Sequence, residues 1–185
     1  MLDYYLELSK KESDYLLYEE PMGTVSGVQT QIPVLLSEYQ FQSKEDVDAY
    51  LELMKTTPDY FNSLIAFEQE KAQKGLFMAS YTADTVIEQC QAFIDMGDSN
   101  YLISTFVDRI QKLTDLSESE KSDYIQKNAY MLQTYVLPAY QQLIKTVVEL
   151  KDSGKNEEGL CYLPNGKEYY ELTVQASTGS ARTVP

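Results

Sequence analysis

Histidine is absent from the 185 residues. Without an imidazole, the chain by itself forms no HExxH zinc site, no Ser-His-Asp triad, no Cys-His dyad and no Glu-x-x-His di-iron site. Cysteine is nearly absent: Cys90 and Cys161 stand far apart, and neither sits in a CxxC pair of the zinc or redox kind. That spacing leaves a single disulfide open, but two buried free thiols are the expectation, because free cysteine packs as a small apolar residue. Tryptophan is missing, and no apolar run approaches the roughly 18–20 residues of a membrane span. Positive charge is scarce, with 15 Lys+Arg against 29 Asp+Glu and a net charge of −14. An acidic surface repels phosphate backbones and anionic lipid headgroups, so neither nucleic acid nor a basic-patch membrane contact is expected. The opening residues Met1 to Leu8 lack a basic stretch followed by an apolar one, so they do not read as a signal peptide. If the parent protein is exported or lipid-anchored, the segment responsible is expected outside this chain.

What is present is an ordinary globular balance, 43% apolar and 24% charged, at a length that predicts about one domain. The hydrophobic pattern is helical almost throughout. It predicts an all-α bundle of about seven helices, with a short β-hairpin possible only at Gly23 to Ile32. That segment, rich in Gly, Thr, Val and Gln, has no helical period and ends at Pro33. A first helix is expected from Leu2 to Glu20, stopped by Pro21-Met-Gly23. Ser43 with Asp46, and Ser117 with Glu120, read as capping boxes. Thr57-Pro58-Asp59 reads as a helix start with Thr57 as N-cap, and Gly75 as that helix's end. Asp98 or Ser99 is expected to cap the helix that carries Leu102, Phe106 and Ile110. The longest periodic stretch, about 118–151, carries Ile125, Ala129, Leu132, Val136, Ala139, Leu143, Val147 and Leu150 on one stripe. Pro138 lies inside it and predicts a kink. A last short helix follows Pro164-Asn-Gly166, and 177–185 read as an irregular tail.

Carboxylates, tyrosines, lysines and the two thiols are the remaining candidates for chemistry. The pairs Glu19-Glu20, Glu68/Glu70 and Glu157-Glu158 read first as a solvated acidic face. Tyrosine is the compositional outlier, with 16 residues. Most sit at helical spacing beside aliphatic residues and predict packing. Tyr162, Tyr169 and Tyr170 differ, because they surround the Leu163-Pro-Asn-Gly166 turn at a loop-to-helix entry, where ligand contacts are common. Gln29 and Gln31 alternate with apolar neighbours, so one strand face would present two amides. Neither glycine cluster matches a nucleotide-binding loop.

An ordered set of motifs runs along most of the chain. It starts with Gly23-x-x-x-Gly27-x-Gln29, leading into Pro33-Val-Leu-Leu36. Glu45-Asp46, Tyr50-Leu51, Thr57-Pro58-Asp59-Tyr60 and Lys74-Gly75 come next. Gly159-Leu-Cys-Tyr-Leu-Pro-Asn-Gly-Lys-Glu-Tyr-Tyr170 and Ser177-Thr178-Gly179 close it. In order and spacing, from about Pro21 to Thr183, it resembles the bacterial domain of unknown function 885 family. Full-length members of that family are similar to gluzincin zinc metallopeptidases of the carboxypeptidase Taq type. The resemblance implies long helices, a deep cleft, and an HExxH-like zinc motif in a C-terminal half that this chain does not include. It therefore implies a fragment from the N-terminal to the middle part of such a protein, with zinc expected in the full-length member and no activity expected from this chain alone.

Two functional expectations follow. The first is a non-catalytic wall of a peptide-binding cleft, partnered by the rest of the parent polypeptide, with Gln29, Gln31, Tyr162, Tyr169 and Tyr170 as substrate-lining candidates. Peptide contact is expected along an exposed strand edge at Gly23 to Ile32. The tyrosines would then supply flat apolar area to the peptide. The competing account packs Tyr169 inward as a core residue of the last helix, with Tyr170 the exposed one. The alternative is a self-contained helical interaction module of a bacterial surface protein.

Overall fold

The computed structural model describes residues 2–180. Its helices, in chain order, are α1 (Leu2–Ser13), α2 (Val28–Glu38), α3 (Lys44–Lys55), α4 (Thr57–Gln73), α5 (Ser80–Asp95), α6 (Tyr101–Ile110), α7 (Glu118–Met131), α8 (Leu137–Leu150) and α9 (Gly166–Thr178). A five-residue π segment, Leu132–Val136, joins α7 to α8 without a break. Short 3₁₀ turns occur at Leu16–Tyr18, Gly97–Ser99 and Leu160–Tyr162. The fold is all-α, and no strand occurs among the described residues.

Local chemistry fixes most helix ends. Both capping boxes form: the Ser43 and Ser117 hydroxyls accept from the amides of Asp46 and Glu120, whose carboxylates accept from the serine amides in return. The end of α4 is a Schellman motif. Gly75 takes φ +71, its amide donates to Ala72 O at 3.0 Å, and the Leu76 amide donates to Lys71 O at 2.9 Å. Two boundaries differ from the sequence reading by a residue or two. Thr56 rather than Thr57 precedes α4. Asn100 rather than Asp98 or Ser99 caps α6, its side-chain oxygen accepting from the Leu102 amide at 2.9 Å. The first helix ends at Ser13, and the tail is partly helical: Ser177 and Thr178 finish α9, while 181–185 lie outside the described residues.

The hairpin at Gly23 to Ile32 does not form. Residues 24–26 make a turn, Gly27 is the extended N-cap, and the helix starts at Val28. Tertiary contacts override the local signals here. Gln29, Pro33 and Leu36 fall on one buried face of α2. Pro33 lacks the amide that would bond Gln29 O, and the Tyr140 hydroxyl donates to that carbonyl instead, at 2.7 Å. The stranded carbonyl is thereby satisfied from α8.

The kink expected at Pro138 takes the form of the π segment immediately before it, in which the Leu137 amide donates back to Leu132 O. The wider turn also changes the phase of the stripe. Leu132, Val136, Ala139, Leu143 and Val147 are buried as expected. In α7 the buried positions are Lys121, Tyr124 and Asn128, while Ile125 and Ala129 are half-buried. Two of them reach neighbouring helices: the Tyr124 hydroxyl donates to Asp48 at 2.7 Å and Asn128 Nδ2 donates to Leu102 O at 3.1 Å.

α8 is the spine, packed against α4 and α5. Tyr50, Phe61, Phe106, Leu132, Tyr140 and Leu143 are almost fully buried around it. Arg109 closes the end of α2, donating to Leu36 O at 2.9 Å and Tyr39 O at 2.6 Å, while its guanidinium lies over the Phe41 and Tyr50 rings. A second, small cluster of Tyr18, Leu76 and Leu163 lies apart from this core, with Tyr15, Leu17, Leu160 and Tyr169 packed on it. Cys90 is buried and Cys161 is exposed, and both are free thiols, so the expected pair of buried thiols holds for Cys90 only. Burial pushes the Cys90 thiol up to about 12, which leaves it inert.

Candidate binding cleft

A cleft of about 600 Å³ opens beside the small cluster, where three segments distant in sequence converge. They are Tyr18–Thr24, Met78–Thr82 and parts of 156–169. The first segment follows the 3₁₀ turn Leu16–Tyr18. The Tyr18 ring packs against Tyr15 and Tyr169, with centroids 5.1 and 4.8 Å away, and its hydroxyl donates to Pro164 O. Gln29 Nε2 donates to Gly23 O at 2.7 Å and to Gln89 Oε1 at 2.8 Å, and Gln89 Nε2 donates to Thr24 O at 2.8 Å. Two amides on α2 and α5 thus clamp the turn that forms one lip of the cleft.

The second and third segments are tied to each other. Ala79 offers no side-chain cap to α5, and Glu157 supplies one from across the chain, accepting from the Ser80 amide at 2.7 Å. A carboxylate is well suited to the positive end of a helix. The Ser80 hydroxyl donates to Asp152 at 2.7 Å, and Lys151 pairs with Asp84 at 2.6 Å. Gly154 sits so close to the Phe77 carbonyl that a Cβ would approach its oxygen to 2.2 Å, so only glycine lets the 151–159 loop lie against this strand of backbone.

Behind the Glu19-Glu20 ridge lies a buried charge cluster. Lys71, on α4 and fully buried, donates to Glu19 O at 2.7 Å and pairs with Glu20 at 3.0 Å. Glu68, one turn earlier and 1% exposed, has its nearer oxygen 3.7 Å from the Lys71 ammonium, and neither of its oxygens accepts a hydrogen bond. Burial pushes the Glu68 carboxyl from its usual 4.5 up to about 7, against the opposing pull of Lys71 and with a further push from Glu20. Burial also raises Glu20, and Lys71 again opposes it. The same ridge borders a second, shallower cleft of about 380 Å³ walled by Tyr60, Leu64 and Phe67.

Of the five residues singled out from sequence, only Tyr169 lines the main cleft. It packs inward on Tyr15 and Tyr18 while Tyr170 is 49% exposed on the outer side of α9. Tyr162 is exposed near the cleft but does not line it. Gln29 is buried and supports the lip from behind, and Gln31 is exposed elsewhere on α2. Peptide pairing along a strand edge has no strand to use, since Val28 to Ile32 is helical. The sequence pattern reads Glu20 and Glu68 as part of a solvated acidic face, and Lys71 is not marked by it. A signal existed: Phe61, Leu64, Ile65, Glu68 and Lys71 recur every three or four residues, which puts both charges on the apolar face of α4.

The residues of this chain do not fit the zinc centre that the family resemblance implies. There is no imidazole, the two thiols lie in separate places, and the described residues contain no group of three acidic or thiol side chains placed to hold an ion. Among the described residues no helix is long and apolar enough to cross a membrane.

No curated protein matches the chain. A crystal structure titled as the putative lipoprotein from Colwellia psychrerythraea is similar in fold, with a TM-score of 0.83 at 18% sequence identity over 88% of this chain. The chain spans 28% of that protein's length. The family described as bacterial protein of unknown function (DUF885) matches residues 1–184, and the chain belongs to it.

Proposed function

We propose that this chain is a non-catalytic helical region of a larger protein, forming one wall of a peptide-binding cleft. The observation that carries this reading is the cleft itself: three segments far apart in sequence are held around about 600 Å³ by hydrogen bonds and a dedicated aromatic cluster. Concave sites with rigid apolar walls and a few convergent polar groups are the usual places for ligands. The Tyr18 and Tyr169 rings supply flat apolar area at low entropic cost, and Glu19, Glu20 and Asn156 supply polar contacts. Any zinc-dependent hydrolysis, as in the metallopeptidases that the family resembles, would use groups supplied by the rest of the polypeptide.

Gly23 offers a clean test. It lines the cleft, and a Cβ there meets nothing within 4 Å. Gly23→Phe in the natural full-length polypeptide therefore fills the cleft without forcing the backbone. Binding of fluorescently labelled, end-blocked pentapeptides should weaken at least about tenfold, which corresponds to 1.4 kcal/mol, with the melting temperature unchanged. Unchanged peptide binding by a normally folded Gly23→Phe protein overturns the reading.

A further inference from the structure

We infer that the cleft takes a positively charged side chain, so that its peptide ligand presents a lysine between the Glu19 carboxylate and the Tyr81 and Tyr169 rings. This inference rests on the cleft reading above and names the ligand that the cleft would select.

Four observations point the same way. No residue lining the cleft is a lysine or an arginine, while two are glutamates. The two glutamates are not equivalent. Glu20 is engaged from behind by the buried Lys71. Among the described residues Glu19 makes no side-chain hydrogen bond or ion pair, although its own backbone carbonyl holds Lys71. The free carboxylate is thus Glu19, and it borders the opening. The structure also displays the chemistry required, since an ammonium is already bound on this ridge: Lys71 is held by the Glu19 carbonyl and the Glu20 carboxylate, with its nitrogen 5.9 Å from the Phe67 ring centre. The remaining walls suit the stem and head of a lysine. Tyr81 is 61% exposed at the rim, and Tyr169 lies close enough to Glu19 and Glu20 for their charges to raise its hydroxyl pKa after burial has done so. Ring faces attract cations, and apolar walls take the four-carbon stem. Clefts lined by one sign of charge also concentrate the opposite charge from solution.

The test uses the natural full-length polypeptide and three pentapeptides with blocked ends, Gly-Ala-X-Ala-Gly, where X is lysine, norleucine or glutamate. Norleucine keeps the stem and lacks the charge. Calorimetric titration should show the lysine peptide binding about tenfold tighter than the norleucine peptide, as an ion pair plus a ring contact warrants. The glutamate peptide should bind weakest. Glu19→Gln, at an exposed position that leaves the fold intact, should bring lysine and norleucine to within about twofold. Tyr81→Leu should cut the lysine advantage in part. Glu149→Gln, an equal change of net charge on an exposed face of α8, should leave the advantage in place. Equal affinity for lysine and norleucine overturns the inference and leaves the cleft reading standing. Loss of the advantage in Glu149→Gln as large as in Glu19→Gln overturns it too, because overall charge would then be responsible. Absence of binding by all three peptides removes the cleft reading and this inference together.

Discussion

The two hydrophobic clusters of this molecule are built to different purposes. The larger one wraps α8 and buries Tyr50, Phe106, Leu132, Tyr140 and Leu143 almost completely, with helices contributing from every side. The smaller one has only Tyr18, Leu76 and Leu163 fully inside, with Tyr15 and Tyr169 half-buried over them. Stability scales with apolar area removed from water, so the first cluster holds the fold. The second removes little area, yet it fixes the three segments that surround the cleft. Beside it, a carboxyl without hydrogen-bond partners is tolerated at Glu68, where burial works against its charge. Strain and unpaired polar groups are sustained where a rigid frame elsewhere bears their cost. The cleft sits at the seam between these clusters, ordered by the frame and not needed to support it.

The largest effect should come from the frame. Leu143→Ala and Leu132→Ala each create a cavity in the larger cluster and should lower the unfolding free energy by about 2–5 kcal/mol in chemical denaturation. A loss below 1 kcal/mol, the range of ordinary surface changes and small cap losses, would show that the spine is not where stability resides.

The buried charges come next. A carboxyl whose folded pKa is raised holds its proton more tightly in the native state than in the unfolded one. Between about pH 4.5 and pH 7 the native state therefore binds more protons, and stability falls as pH rises through that window. For Glu68 the full swing is of order 3 kcal/mol. Glu68→Gln should flatten this part of the stability–pH curve, measured by denaturant titration at intervals of pH. A curve with unchanged slope would mean that another group carries the titration.

A smaller and more local effect is expected from Tyr169→Ala. It removes the ring contacts with Tyr15 and Tyr18 and should cost about 1–2 kcal/mol. Hydrogen exchange should speed up in α9 and in the 160–165 turn while α8 amides stay protected. Equal acceleration in α8 would merge the two clusters into one cooperative unit. The smallest effect should be at Gln133 and Gln141, both exposed on the spine, where alanine should change stability by within about 0.5 kcal/mol. A larger loss would place the helix face in the wrong phase.

The legible parts of the fold were those written in local chemistry. Ser43/Asp46, Ser117/Glu120 and Gly75 act within one or two helical turns, and each does what its residue type and spacing predict. The all-α class, the long interrupted spine and its Leu132–Val147 stripe were readable for the same reason. The site was less legible. Tyr169 was marked by its place beside a turn, but its ring partners Tyr15 and Tyr18 lie at the other end of the chain. Glu68 reads as surface charge when taken as half of an acidic pair, and only the helix phase of α4 places it, with Lys71, on the buried face.

The sequence by itself determined the capped starts of α3 and α7, the glycine end of α4, the apolar stripe of the spine, and that no imidazole chemistry resides in this chain. Those properties depend on neighbours within a few residues or on composition alone. Only the tertiary structure decided that Val28 to Ile32 is helical, because the hydroxyl that satisfies the carbonyl stranded by Pro33 comes from Tyr140, more than a hundred positions away. It alone decided that Lys71 holds the Glu19-Glu20 ridge, and that Glu157 caps a helix beginning at Ser80. Hydrogen bonds and ion pairs of such long sequence separation leave no periodic trace, so their effects emerge only once the chain has folded.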